Sequence, residues 1–267
     1  MNNTDLKKIY LIRQILEDSG YFDIERISNE IYEYSDKNNT PLEDILGDIK
    51  KGKPWEYIKG EAEFYKNIFK ITEDTLIPRV ETEDLVGITK EEIKKYSPSL
   101  VIDTGTGSGC IILSLAKYFC NTDTRFIGTD ISRKALNIAK ENRKLLKLKN
   151  VSFKRTNLLK DINPKEKYCI VANLPYIPTD MYLNLDKSVK DYEPEIALNG
   201  GEDGLRIYEE LFKQIQKKKN KPEFMVLEFE PSTKKSLERI LNIYFKDSEY
   251  IFKKDFRDKE RFLVCLF

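Results

Sequence analysis

The spacing of apolar residues changes character along the chain. From residue 100 onward they gather into short runs: Leu100–Asp103, Arg125–Asp130, Val151–Lys154, Tyr168–Asn173, Glu223–Phe229, Tyr250–Lys253 and Arg261–Phe267. Runs of this length read as candidate strands. The stretches between the early ones, Ile111–Phe119 and Arg133–Leu146, carry a helical period. Strand and helix in alternation predict a parallel, doubly wound sheet with right-handed crossovers. Only a short polar loop joins the last two strands, so that pair is free to run antiparallel.

The first fifty residues are patterned differently. Leu6, Ile9, Tyr10, Arg13 and Leu16 fall near a period of 3–4 residues, with Gly20 as a stop. Ile24, Ile27, Ile31 and Tyr34 repeat the pattern. A third helix is expected from Thr40-Pro41-Leu42-Glu43, with Thr40 as the cap and Glu43 closing a capping box, and Leu42, Ile45, Leu46 and Ile49 form its apolar face. Phe64-Tyr65 and Ile68–Ile71 flank Lys66-Asn67 as in a hairpin, and a helix is expected from about Glu81. The expected organisation is α/β: a helical domain over residues 1–60, a hairpin linker over 61–80 and a doubly wound domain over 81–267.

Composition narrows the function. Lys and Arg number 46 against 45 Asp and Glu, a balance that argues against a dedicated duplex-DNA binder. The run Lys217–Lys221 reads as a solvated loop. The four cysteines, Cys110, Cys120, Cys169 and Cys265, are scattered in or beside apolar runs and read as buried free thiols. With no histidine and no paired cysteines, no metal site is expected. No apolar run approaches the roughly 20 residues of a membrane span, and the first residues lack the order of a signal peptide. These features lead to the expectation of a soluble, cytoplasmic monomer.

Two segments carry candidate chemistry. Asp103-Thr104-Gly105-Thr106-Gly107-Ser108-Gly109 follows a strand and opens a helix. Glycines there permit a tight turn and close approach of a ligand, and the helix N–H groups face it. Asp130 ends the next strand, at about the spacing expected of an acid that binds ribose hydroxyls. Asn173-Leu174-Pro175-Tyr176 ends a later strand of the same sheet, and ligands of such sheets bind beyond the carboxyl ends of the strands. The Asn173 side-chain oxygen and the Leu174 carbonyl can each accept one N–H of a planar carboxamide or amine, and Tyr176 can pack on its face. Held so, a nitrogen is poised for in-line attack on an activated methyl, where positioning outweighs acid–base work.

Alternating glycines behind Asp103 resemble motif I of Rossmann-like methyltransferases rather than a dinucleotide fingerprint. Further blocks resemble the release factor glutamine methyltransferase family: Gly52-Lys53-Pro54 with Tyr57-Ile58-x-Gly60 and Glu63-Phe64; Leu76-Ile77-Pro78-Arg79-x-Glu81-Thr82-Glu83; and Glu193-Pro194-x-x-Ala197-Leu198-x-Gly200-Gly201-x-Asp203-Gly204-Leu205. The resemblance implies a class I methyltransferase sheet and S-adenosyl-L-methionine as cofactor. It implies cofactor contacts from Gly105, Thr106, Gly107, Ser108, Gly109, Asp130, Leu158 and Asn173. Asn173, Leu174, Pro175 and Tyr176 would contact the substrate, the glutamine of the Gly-Gly-Gln tip of peptide chain release factors, with the N-terminal helices helping to dock that protein. Three positions depart from the family's pattern: Leu174 and Val80 stand where Pro is usual, and Asp255–Arg261 lacks the expected Gly. The rival functions are glutamine methylation of a ribosomal protein, adenine-N6 methylation of DNA, and a cofactor-binding protein without turnover. The first shares the same site chemistry, and the second grips a flipped base in a similar way.

Overall fold

The computed structural model describes residues 3–267, with side chains from Asp5 onward, so the first two residues of the expected helical domain lie outside the described residues. Two compact units result. One comprises the chain up to Glu61 together with Asp186–Tyr192, and the other comprises Ala62–Leu185 and Glu193–Phe267.

The smaller unit holds α1 (Asn3–Asp18), α2 (Ile24–Asn38), α3 (Leu42–Lys50) and α4 (Trp55–Lys59). Ile12, Ile15, Leu16, Ile27, Ile31, Ile45, Leu46, Ile49 and Trp55 form its core. On α1 the buried face is Ile9–Ile12–Ile15–Leu16, whereas Leu6 and Tyr10 are exposed, so the apolar stripe is rotated from the one the sequence suggested. The isoleucines at i, i+3 and i+6 pack tightly and set the face. The expected capping box does not form at α3. Pro41 occupies the cap position without a side-chain bond, and the Thr40 carbonyl accepts from Ser35 Oγ at 2.7 Å. Trp55 is anchored at both ends: its Nε1 donates to Glu30 Oε2 at 3.0 Å, and its backbone N–H donates to the Tyr21 hydroxyl at 3.0 Å.

The larger unit takes in most of a hairpin, β1 (Glu61–Phe64) and β2 (Asn67–Lys70). Its turn is Tyr65-Lys66, both with positive φ, one residue earlier than expected. Asn67 belongs to the strand, and its side chain bonds the Tyr65 carbonyl. Next come α5 (Thr82–Tyr96), β3 (Leu100–Thr104), α6 (Cys110–Tyr118), β4 (Arg125–Asp130), α7 (Arg133–Leu145), β5 (Val151–Arg155) and β6 (Tyr168–Asn173). Short elements that the sequence did not signal follow: β7 (Ile177–Pro178), α8 (Thr179–Leu183), α9 (Lys187–Lys190, in the smaller unit) and β8 (Asn199–Gly201). The chain ends with α10 (Arg206–Lys217), β9 (Phe224–Glu228), α11 (Lys234–Tyr244), β10 (Glu249–Lys254) and β11 (Glu260–Leu266).

Seven strands form one sheet in the order β10-β11-β9-β6-β3-β4-β5. The five strands from β9 to β5 are parallel, and β11 runs antiparallel to both neighbours, as the short final loop suggested. Successive residues of a strand point to opposite faces, and both faces are covered. Ile102, Ile170, Met225 and Leu227 meet α10 and α11 on one side, while Val101, Val171 and Val226 meet α5 and α6 on the other. The chain lays down β3, β4 and β5 toward one edge and then places β6 on the far side of β3. The order therefore reverses between β3 and β6, where such sheets open a crevice at their carboxyl ends.

Three smaller expectations change. Cys120 is exposed rather than buried, because it follows the end of α6 in a turn. Lys218 and Lys221 are not simply solvated: Lys218 Nζ donates to the Leu159 carbonyl and Lys221 Nζ to that of Ile215. Within Asp255–Arg261, which lacks the expected glycine, Asp258 takes a left-handed φ of 62°. Asp255 braces that loop by accepting from the N–H groups of Arg257 and Lys259 and from Arg261 Nε. Among the described residues no helix is long and apolar enough to cross a membrane.

Candidate active site

The glycine turn leaves β3 at the switch point. Gly105, Gly107 and Gly109 have φ of 73°, 54° and 82°. Gly105 must be glycine twice over, since that region disfavours L side chains and a Cβ there would stand 2.9 Å from Leu174 Cδ2. The turn is held from below. Gly105 N–H and Thr106 N–H both donate to the Thr129 carbonyl, at 2.8 and 2.9 Å. Asp130 Oδ2 accepts from Gly107 N–H at 2.9 Å, and its Oδ1 accepts from Ser132 N–H at 2.8 Å. Asp103 is wholly buried beneath; its Oδ2 takes the Thr106 hydroxyl at 2.6 Å, and its Oδ1 has no partner. Burial pushes the Asp103 carboxyl up to about 7 and moves Asp130 upward too, against the pull of its backbone donors.

Asn142 of α7 ties this turn to the hairpin. Its amide donates to the carbonyls of Ser108 and Lys70, both at 2.9 Å, and its oxygen accepts from Lys70 N–H at 2.7 Å. Beyond β5, Thr156 N–H bonds the Asp130 carbonyl, and Leu158 is buried with a φ of 53°.

The run Asn173–Tyr176 leaves β6 beside that turn. Asn173 Nδ2 donates to Thr82 Oγ1 at 3.0 Å, which leaves Oδ1 as the end available to an incoming N–H. Leu174 sends its side chain down against Gly105 and is buried, so a leucine serves where proline is usual. Its carbonyl lies 3.2 Å from the Tyr208 hydroxyl and keeps a second lone pair. The Tyr176 hydroxyl donates to Glu228 Oε1 at 3.0 Å. Glycines press on the backbone of this run: a Cβ at Gly200 would meet Pro175 O at 2.7 Å, and one at Gly204 would meet Tyr176 O at 2.3 Å. The Arg79 block is fastened to the same loop by Glu193, whose buried carboxylate accepts from Ile77 N–H at 3.1 Å and Arg79 Nη2 at 2.5 Å.

These pieces line one cleft. Of the sequence-selected residues, Gly105, Thr106, Gly107, Ser108, Asp130, Leu158, Asn173, Leu174 and Pro175 line it. Gly109 and Tyr176 are not among its lining residues: a Cβ at Gly109 would crowd Leu113 and Ala139, and the Tyr176 hydroxyl turns toward Glu228. Sequence reasoning missed Thr82, Asn142, Tyr208 and Glu228. For Glu228 a signal existed, a single acid inside the otherwise apolar run Phe224–Phe229.

The cleft suits a nucleoside-bearing cofactor. Gly107 faces open space, and each Asp130 oxygen retains a lone pair for a hydroxyl. Residues 97–168 match the family model described as "Methyltransferase domain". Solved structures with the same fold include a ribosomal protein L11 methylase from Lactobacillus delbrueckii subsp. bulgaricus (19% identical, TM-score 0.50, covering 71% of this chain and 79% of that one). Another is a human methyltransferase 10 domain containing protein (16% identical, TM-score 0.54, covering 76% and 88%). The fold is that of a class I methyltransferase, with S-adenosylmethionine as methyl donor.

The sequence relatives are narrower. The "Release factor glutamine methyltransferase" of Mycoplasma mycoides is 37% identical over 89% of this chain and 85% of its own length. That of Enterococcus faecalis is 33% identical over 79% and 75%. The match to the Fusobacterium nucleatum protein of the same name, at 40% identity, spans about half of that protein (52%). The chain belongs to the release factor glutamine methyltransferase family.

Proposed function

We propose that this protein methylates the side-chain amide nitrogen of the glutamine in the Gly-Gly-Gln motif of a peptide chain release factor. The observation that supports this reading most is the fixed orientation of Asn173, whose Nδ2 is committed to Thr82 so that Oδ1 is left for the substrate. A glutamine amide brings two N–H donors in one plane. Asn173 Oδ1 would accept one and the Leu174 carbonyl the other, which turns the face of the nitrogen into the cleft. Pro175 stiffens the run.

S-adenosylmethionine, when bound, supplies a methyl group activated by a positively charged sulfur. Asp130 would hold the ribose hydroxyls, the Gly105–Gly107 backbone would admit the amino acid part, and Leu158 would wall the adenine. An amide nitrogen gives up its proton readily once it carries a fourth bond. The residues here therefore need to orient the amide rather than deprotonate it beforehand, and a chain without histidine can do so. The helical unit would help dock the protein substrate.

The test is mass spectrometry of a release factor domain after incubation with labelled cofactor, for wild type and Asn173→Ala. Wild type is expected to place the label on the Gly-Gly-Gln glutamine. Asn173→Ala is expected to bind cofactor with little change and to lose most transfer. Wild-type turnover by the variant would overturn the proposed role of the acceptor run.

A further inference from the structure

We infer that Tyr208 is a positioning residue: its hydroxyl pins the Leu174 carbonyl, so that this acceptor is already aimed when the substrate amide arrives. This rests on the proposed amide methylation, in which the Leu174 carbonyl takes one of the two N–H groups. Tyr208 lies in the first turn of α10, on the buried stripe Tyr208–Leu211–Phe212–Ile215. For packing alone a phenylalanine would serve, as Phe212 does one turn later. A hydroxyl in that setting costs free energy unless it is bonded, so its two bonds account for its presence.

Both run to backbone carbonyls at the ends of neighbouring strands. Asn173 and Glu228 are the last register partners of the parallel pair β6·β9. Where that ladder ends, the Tyr208 hydroxyl bonds the Glu228 carbonyl and, at 3.2 Å, the Leu174 carbonyl. Among the described residues the Leu174 carbonyl has no other donor. Pro175, on the far side of the same peptide, has no N–H to give and a φ fixed by its ring, and the peptide itself is planar. Rotation about the Leu174 Cα–C bond therefore decides where this carbonyl points, and Tyr208 is the group that holds it.

One proton serves both carbonyls, so the Leu174 oxygen keeps accepting capacity for an incoming N–H. Burial above all, then the nearby Tyr176 and Glu228, holds the Tyr208 hydroxyl well above its ordinary pKa, and it keeps that proton. Without the hydroxyl the Leu174 carbonyl loses its tether, while Asn173 keeps its own through Thr82. One of the two acceptors is then loose, and the face of the amide is no longer held toward the methyl group.

The experiment compares Tyr208→Phe with wild type on a Gly-Gly-Gln peptide and by NMR. The variant's kcat should fall about 100-fold, the scale of a reacting group misplaced by about 1 Å, with S-adenosylhomocysteine bound at closely similar Kd. The carbonyl can be observed directly, because Leu174-Pro175 is the sole Leu-Pro pair in the sequence. Protein made with leucine carrying carbon-13 at its carbonyl and proline carrying nitrogen-15 gives one correlation, from Leu174. That signal should shift in Tyr208→Phe, whereas a role confined to packing would leave it in place. A second replacement covers the case of a variant that fails to fold: 3-fluorotyrosine at position 208 keeps the ring and strengthens the hydroxyl as a donor, so it should move the signal in the opposite sense and retain transfer. Wild-type kcat in Tyr208→Phe, or a Leu174 signal indifferent to either replacement, overturns the inference alone. A wild-type enzyme that leaves the peptide glutamine unlabelled overturns the substrate assignment, and the inference with it.

Discussion

Gly200→Ala tests how the acceptor run is held in place. Gly200 is buried, has no left-handed φ to protect, and sits between two stretches of backbone. A Cβ there would lie 2.5 Å from Gly204 O and 2.7 Å from Pro175 O. To reach an ordinary contact of 3.4 Å, those carbonyls must recede by about 0.9 and 0.7 Å. Neither is the mobile end of a side chain, since each belongs to a planar peptide whose neighbours are fixed. The Pro175 side of that strain falls one residue from the Leu174 carbonyl and two from Asn173. A shift of this size at the reacting geometry is worth about 100-fold in rate, and overpacking of a filled site costs about 1–3 kcal/mol in stability. The glycine turn of the cofactor is untouched. Methyl transfer to a Gly-Gly-Gln peptide, followed by mass spectrometry, should fall about 100-fold, while calorimetry should give an unchanged cofactor Kd and a melting scan a modestly lower Tm. A variant with wild-type kcat would refute the view that β8 and the loop after it buttress the acceptor run.

Asp130→Ala should weaken cofactor binding by about 1–3 kcal/mol in calorimetry, because Gly107 N–H loses its acceptor along with any ribose bond; an unchanged Kd would rule out that role. Asp103→Asn should reveal a pH-dependent cost of burying an acid. The folded-state carboxyl is raised from 3.8 to about 7, so between those values the folded chain binds more protons than the unfolded chain and stability falls as pH rises. Asn keeps an acceptor for the Thr106 hydroxyl but cannot ionise. Urea unfolding should therefore show the variant gaining on wild type between pH 5 and pH 8, by roughly 3 kcal/mol, and an equal gap at both pH values would contradict the reading.

The sheet was legible because its signal is local. Runs such as Tyr168–Ala172 and Phe224–Leu227 are buried on both faces and so carry only apolar and aromatic residues. The switch-point cleft was legible for the same reason, since the glycine turn and the acceptor run are each short continuous segments. What failed depended on distant partners. Asn173 meets Thr82 across 91 residues, and Asn142 meets Lys70 across 72. Thr40 had the right type and spacing for a cap, yet the helix began at Leu42, one residue too late for it, behind an uncapped proline. On α1 two candidate stripes overlap, and only packing against α2 and α3 selects the one through Ile12 and Leu16.

The buried acids of the site share a place and a task. Asp103, Asp130 and Glu228 lie at the carboxyl ends of β3, β4 and β9, and each receives a donor from a loop crossing that end: the Thr106 hydroxyl, the Gly107 N–H and the Tyr176 hydroxyl. Burial raises all three, so each costs stability in its ionised form. Acids meant to move protons would be placed to exchange them with substrate or solvent, yet Asp103 and Glu228 are wholly buried. Their common effect is to fix loop dipoles before any ligand arrives. Fixed dipoles need no reorganisation at the moment of reaction, and that is the form of catalysis open to a weakly nucleophilic amide. It follows that replacing these carboxylates should damage rate or affinity through geometry, and that no added base should restore what is lost.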